Sequence, residues 1–411
     1  MNIAHNALKT LLLYIIILTP ILKVAVAQNV TSYEAKSAIR CSDSPFQSDV
    51  LFVTDLKSTY LLQCITELLP APPKGYLPAP TSYRWSASSG KIEANQDECR
   101  WSQPESGLQE IQVSGIMKYL APNPTGFFSR KLPDIEVPFR SSLKCLIPLQ
   151  VDVIKNGKVN GFVVGDYPDP NDWDDLKNAS NSAMVKANAD IYQPPKLFYC
   201  VIPETYNLKI FKEYTLGDFD LDPRFLPLKY PRYVVIHPRI LRKLDLLETQ
   251  VRNAGITLSK FKIFYGYRSP AYNLGSREED GGITLKSGFS THMYGLAVDI
   301  LIDEDDDLVM DDLDGDGRTT EEDAKILLNH VNKLDRLLLQ QDSELVGGAG
   351  WYPHHDFWER GEYVQSPYVH IDARGYTNGQ RLVRWIGKDT IGIRKRSNPY
   401  KQNAPIPPWP W

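Results

Sequence analysis

A chain of 411 residues with a formal net charge of −4 and 42% hydrophobic residues is long enough for two domains and carries no basic excess. The charge balance gives no electrostatic footprint for nucleic acid. Beyond the N-terminal leader, no segment has the roughly 20 consecutive apolar residues that a membrane-spanning helix needs.

That leader is the first element. "MNIAHNALKTLLLYIIILTPILKVAVAQ" places a lysine before an apolar run from Leu11 to Leu22 and ends in Ala25-Val26-Ala27, a small-x-small pattern. It predicts a secretory signal over residues 1–27, cleaved after Ala27 to leave Gln28 first, and so a secreted or periplasmic product. The five cysteines, Cys41, Cys64, Cys99, Cys145 and Cys200, all lie in the first half. In an exported protein they read as structural staples with one left over. Cys64 with Cys145 is one pairing that would clamp a sandwich, and sequence alone fixes none.

Residues 45–155 read as strands. In "SSLKCLIPLQVDVI" the positions Leu143, Cys145, Ile147, Leu149, Val151 and Val153 are all apolar or cysteine, a period of two that predicts one buried face. Short strands, turn signals and Trp85 predict an all-β sandwich, and "YRWSASSGKI" with "WSQPESGLQEIQVSG" resembles bacterial immunoglobulin-like domains. Residues 156–200 are turn-rich and read as a linker with a hairpin. A second domain, 201–390, opens with a helix in which Leu241, Leu244, Leu247 and Val251 recur at helical spacing before Gly255. "FKIFYGYRSPAYN", "VGGAGWYP" and "YVHIDAR" read as strands, and 322–341 as a second helix with Ile326, Leu327, Val331, Leu334 and Leu338 on its apolar stripe. Mixed elements without βαβ regularity predict α+β. The basic, Pro-rich tail 391–411 reads as loosely attached.

Seven histidines are present, and His5 leaves with the signal. His292 stands in "STHMYGLAVDILID" and His370 in "YVHIDARG". Two imidazoles and a carboxylate, Asp299, make a His2Asp set of the kind that holds zinc with one position open. The glycine between His292 and Asp299 lets the chain turn close to the ion.

Together, "FYGYRSPAYN", "SGFSTHMYGLAVDI", "GGAGWYP" and "YVHIDARG" resemble, in the same order, the zinc D-alanyl-D-alanine carboxypeptidases and murein endopeptidases, which share a metal site with lysostaphin and hedgehog. The resemblance covers residues 200–390. It implies His292, Asp299 and His370 as zinc ligands and Arg268 as the residue that binds or polarises substrate at the scissile bond. It further implies an exported peptidase acting on peptidoglycan peptides through a zinc-activated water. Many relatives carry a histidine or glutamate two to five residues before the last ligand, where this chain has Gln365, Ser366, Pro367 and Tyr368. His354, His355, Glu359, Glu362 and Asp372 all stay open as the general base. A non-catalytic peptidoglycan-binding protein that retains the zinc is the alternative.

Between the zinc motifs, "DLDGDGRTTEED" fits a twelve-residue EF-hand-like calcium loop, 312–323. Asp312, Asp314 and Asp316 take positions one, three and five, and Gly317 turns at six. Arg318 offers its carbonyl at seven, Thr320 stands at nine and Asp323 at twelve. Oxygen donors favour calcium over zinc. Aspartate at twelve and Thr319 at eight predict weak, structural binding.

Overall fold

The computed structural model describes residues 33–42, 50–123, 132–177, 182–220, 230–273, 288–359, 362–376 and 382–387; for 354–359 and 362–365 the backbone alone is described. The expected leader with cleavage after Ala27 and the tail 391–411 lie outside the described residues. The chain divides into two compact units, 1–150 with 207–215, and 151–206 with 216–411. No helix among the described residues is long and apolar enough to cross a membrane.

The first unit is built of strands: β1 (Glu34–Cys41), β2 (Val50–Phe52), β3 (Thr59–Leu69), β4 (Leu77–Ala87), β5 (Lys91–Asn95), β6 (Glu98–Ser102), β7 (Gly107–Leu120) and β8 (Ile135–Ile147). They form two four-stranded sheets, ordered β1-β3-β6-β5 and β2-β8-β7-β4, antiparallel except for the parallel β2–β8 pair. Strand β8 alternates as expected, with Val137, Phe139, Leu143 and Cys145 buried in one core with Leu62, Trp101 and Val113. Its alternation stops earlier than the sequence pattern does. Pro148 has no N–H for the ladder, and Val153 is 68% exposed.

Cys64, Cys99, Cys145 and Cys200 are free thiols, so the expected staples, Cys64–Cys145 included, are not formed. Register explains part of this. Cys41 of β1 and Cys99 of β6 flank Leu62 of β3 from opposite sides. Two strand spacings separate them by roughly 9–10 Å, beyond the Cα reach of about 7 Å that a disulfide allows. Burial also pushes the Cys64 thiol up to about 12 and the Cys99 thiol to about 11, which keeps both protonated and unreactive.

The second unit rests on a five-stranded sheet: β9 (Lys262–Tyr265), β10 (Ala297–Leu301), β11 (Ala349–Glu359), β12 (Glu362–Asp372) and β13 (Arg384–Ile386). Their order is β9-β10-β12-β11-β13, and only the β11–β13 pair is parallel. Two long helices, α1 (Pro238–Asn253) and α2 (Glu321–Gln341), complete it, α2 lying against β11 and β12 and α1 against α2. In α1 the apolar stripe Leu241, Leu244, Leu247 and Val251 is fully buried. In α2, Leu327, Val331, Leu334 and Leu338 are buried while Ile326 is half-buried. The segment expected as a linker does form a hairpin, Lys158–Val159 with Phe162–Val163, and it belongs to this unit, with Val164 and Tyr192 fully buried.

Candidate metal centre

One row of residues crosses the sheet of the second unit. Tyr265 of β9 stands opposite Asp299 of β10, Asp299 opposite His370 of β12, His370 opposite Gly350 of β11, and Gly350 opposite Trp385 of β13. Residues in register share a face of the sheet, so Asp299 and His370 emerge side by side. Every residue of β10 is buried, which keeps the Asp299 carboxylate out of bulk water. Gly350 leaves a gap in the row that the Trp385 ring fills; a Cβ on Gly350 would come within 2.5 Å of it. The indole thereby reaches His370, at 5.0 Å between ring centroids.

His292 arrives from a 3₁₀ turn, Thr291–Tyr294, rather than from a strand. The turn is closed by Gly295 in the left-handed region, with φ of 65°. A Cβ at that position would lie 2.5 Å from the Val235 carbonyl, so both conformation and space require glycine.

The three side chains converge. His292 Nε2 lies 3.1 Å from His370 Nδ1 and 3.3 Å from Asp299 Oδ1, and His370 Nδ1 lies 2.7 Å from Asp299 Oδ1. With bonds of ~2.0–2.1 Å to a tetrahedral cation, the edge between two ligands is about 3.3 Å. The triangle therefore has the size that one small cation needs, drawn in along the His370–Asp299 edge, and the trio can hold a metal ion. The outer nitrogens are held as well. His292 Nδ1–H donates to the Gly266 carbonyl at 2.7 Å, which leaves its Nε2 lone pair facing the other two groups. His370 turns Nε2 toward Asp372 Oδ2 at 3.5 Å. Such partners fix the tautomer and orientation of ligating imidazoles.

The protonation states suit ligation. Burial, reinforced by the Arg268 charge, pushes His292 down to about 4, so it is neutral at pH 7. Burial would raise Asp299, but the two imidazoles hold it well below the usual carboxylate range. Burial works against a proton on His370, yet hydrogen bonds to Asp299 and Asp372 raise it on balance; a cation would compete for that proton's place. Asp372 would also be raised by burial, but Arg374 keeps it ionised. Arg374 Nε lies 2.8 and 2.9 Å from its two carboxylate oxygens, and the Gly348 N–H donates to it at 2.9 Å. Asp372 thus supports His370 from behind and is not available as a general base. The side chains of the other base candidates, His354, His355, Glu359 and Glu362, lie outside the described residues.

Arg268 enters beside the trio. Its backbone N–H donates to the His292 carbonyl at 3.3 Å, and its guanidinium lies 5.6 Å from the Tyr265 ring centroid. The buried Nε has no hydrogen-bond partner among the described residues. The stacked rings of Tyr352 and Tyr368 (4.5 Å, 3° between planes) flank the row, with Trp385 Nε1 donating to the Tyr352 hydroxyl at 3.1 Å. Gly266 and Trp385 carried no distinctive sequence signal: one acts through its carbonyl, the other through a strand pairing.

The acidic loop is brought together in part. Asp312, Asp314 and Asp323 place carboxylate oxygens within one cation's reach, and Gly317 turns with φ of 83°. Asp316 is not in that group; its Oδ1 accepts from the Arg318 N–H at 2.8 Å. Asp323 accepts from the Leu313 and Thr320 N–H groups, each at 2.7 Å, and forms a capping box with Thr320 at the start of α2. A neighbouring group, Asp303, Asp305 and Asp311, was not picked out of the acidic run by sequence spacing. Comparison of the chain with protein-family models, with curated proteins and with solved structures gave no match.

Proposed function

We propose that this chain is an exported zinc-dependent peptidase that cleaves peptide bonds of bacterial peptidoglycan, as a D-alanyl-D-alanine carboxypeptidase or a murein endopeptidase. The observation that carries the reading is the buried triangle of His292, Asp299 and His370 beside an Arg268 Nε that has no partner among the described residues. Two imidazoles and a carboxylate suit zinc better than a hard cation, which prefers oxygen donors. Zinc held there would supply Lewis acidity, polarising a carbonyl and activating water at neutral pH.

The chain's own residues do the rest. Gly266 and Asp372 hold the two imidazoles in their ligating orientation. Arg268 presents N–H donors and a positive charge where a substrate carboxylate or a developing oxyanion would sit, in surroundings that exclude water and so strengthen the interaction. Tyr265, Tyr352 and Tyr368 form an apolar wall beside the row. The order of the four sequence motifs supports peptidoglycan peptides as the substrate class, and the "GGAGWYP" and "YVHID" pair supports the endopeptidase branch. The first unit, of immunoglobulin-like type in this reading, positions the enzyme on the wall, and the 312–323 loop takes calcium as a structural ion. A non-catalytic, zinc-retaining binding protein is the second reading. One observation favours it: Asp372, the one base candidate with a described side chain, is committed to Arg374. Purified protein analysed for zinc and incubated with muropeptides separates the two. Zinc with cleavage supports the enzyme, and zinc without cleavage supports the binding protein.

A further inference from the structure

Behind the trio lies a second set of charges that the proposed chemistry does not use. Lys243 of α1 is fully buried, in the middle of that helix's apolar stripe. Its Nζ donates to the Asp372 carbonyl at 2.8 Å and pairs with Asp335 Oδ1 of α2 at 2.8 Å. Asp335 is also fully buried and is met from the other side by Arg384 Nη2 of β13 at 2.6 Å. Arg384 in turn donates through Nη1 to the Gly347 carbonyl at 2.9 Å. Four elements therefore meet at the end of β12, two residues beyond His370.

Stability alone gives no reason for this arrangement. Replacing a buried ion pair by well-packed apolar groups is often neutral or stabilising, because taking two charges out of water offsets their attraction. What the pair does provide is direction: a short, charge-assisted bond that fixes one backbone carbonyl. With its carbonyl held by Lys243, its N–H bonded to the Gly348 carbonyl at 3.0 Å and its carboxylate gripped by Arg374, Asp372 is fixed at every polar group.

Resting on the metal-centre reading above, we propose that Lys243, anchored by Asp335, is a positioning residue for the centre: it fixes Asp372 and through it the His370 imidazole. Outer-shell partners of metal-ligating histidines typically change affinity 10- to 100-fold when removed, and Lys243 stands one step further back. The expected loss in zinc affinity for Lys243→Met is therefore about 3- to 30-fold.

The test uses the full chain and zinc alone as probe. Zinc affinity is measured by competition with a chromophoric chelator for wild type, Lys243→Met and Asp335→Asn. The visible spectrum of the cobalt(II)-substituted protein reports ligand geometry. Metal-free melting temperature reports any purely structural effect. Support is a weakened zinc affinity and an altered cobalt spectrum in Lys243→Met that still melts cooperatively. Unchanged affinity and spectrum in that variant overturn the proposal. Should Lys243→Met fail to fold, Asp335→Asn, which keeps side-chain shape, decides: threefold or greater weakening supports it, and wild-type affinity overturns it. A wild-type chain that takes up no zinc fails the metal-centre reading and this inference with it. Zinc uptake that is equal in wild type and variants fails this inference alone.

Discussion

Under the proposed peptidase reading, His292, Asp299 and His370 would hold the ion and Arg268 would meet the substrate, and mutation separates the two roles. His292→Ala removes one vertex of the triangle. Metal analysis should fall from about one zinc per chain to near zero, and cleavage should vanish with it. Retention of stoichiometric zinc would show that the ion sits elsewhere. Arg268→Ala should keep zinc, since the guanidinium is not part of the triangle, yet lower the rate by roughly two to three orders of magnitude, the usual cost of losing one preorganised electrostatic donor. Arg268→Lys should not restore it, because an ammonium lacks the planar fork. An Arg268→Ala enzyme with wild-type rates would remove this residue from the chemistry. His237 gives a pH test of stability. It caps α1 by accepting the Arg239 N–H at its Nδ1, 3.2 Å away, and burial with the Arg239 charge lowers it to about 4. The unfolded value is ~6.5, so the unfolded chain takes up the proton first. Stability from this group is complete above pH 6.5, declines as pH falls toward 4, and is flat below that, by at most about 3 kcal/mol. Urea titrations at pH 7 and 4.5 should show a smaller loss of stability in His237→Asn, which can still cap, than in wild type, while the loss due to His292, also lowered to about 4, remains in both; an equal loss in the two would remove His237 from it.

Among the elements, the two long helices and the sheet carry most of what was readable. The stripe of α1, the glycine after it and the stripe of α2 follow the 3.6-residue period, and β8 follows period two up to Cys145. What the sequence did not yield was carried by pairing and close approach. Trp385 gains its place only through the parallel β11–β13 pair and the missing side chain of Gly350. Lys243 and Asp335 are opposite charges lodged within apolar stripes, a signal that becomes legible only once α1 and α2 are known to touch. The cysteines read as staples because composition gives number and compartment but not register. The acidic loop has a test at this scale. If Asp312, Asp314 and Asp323 hold calcium, calcium should stabilise the fold by mass action, by ~2.7 kcal/mol at a hundredfold excess over the dissociation constant, and so raise the melting temperature. Asp312→Ala should flatten the response. An equal rise in both proteins would place calcium at another site.

At the scale of the whole molecule, two units with separate cores predict two unfolding transitions rather than one. Zinc should raise only the transition of the unit that contains His292, Asp299 and His370, and chelation should lower only that one; calorimetry with and without metal reads both. A single transition moved as a block by zinc would mean that the units unfold together. That His292, Asp299 and His370 form a possible metal-binding group was legible in the sequence, because two imidazoles and a carboxylate in short motifs mark such a set by residue type. The surrounding support was not, because backbone carbonyls, glycines and buried ion pairs leave weak marks. The most direct measurement is mass-spectrometric analysis of purified muropeptides, monomeric and cross-linked, after incubation with zinc-loaded protein and with His292→Ala. Wild type should lose cross-linked dimers or release terminal alanine, an activity abolished by chelation and absent in the variant. Intact muropeptides of both kinds, in the presence of protein shown to contain zinc, would contradict the peptidase reading.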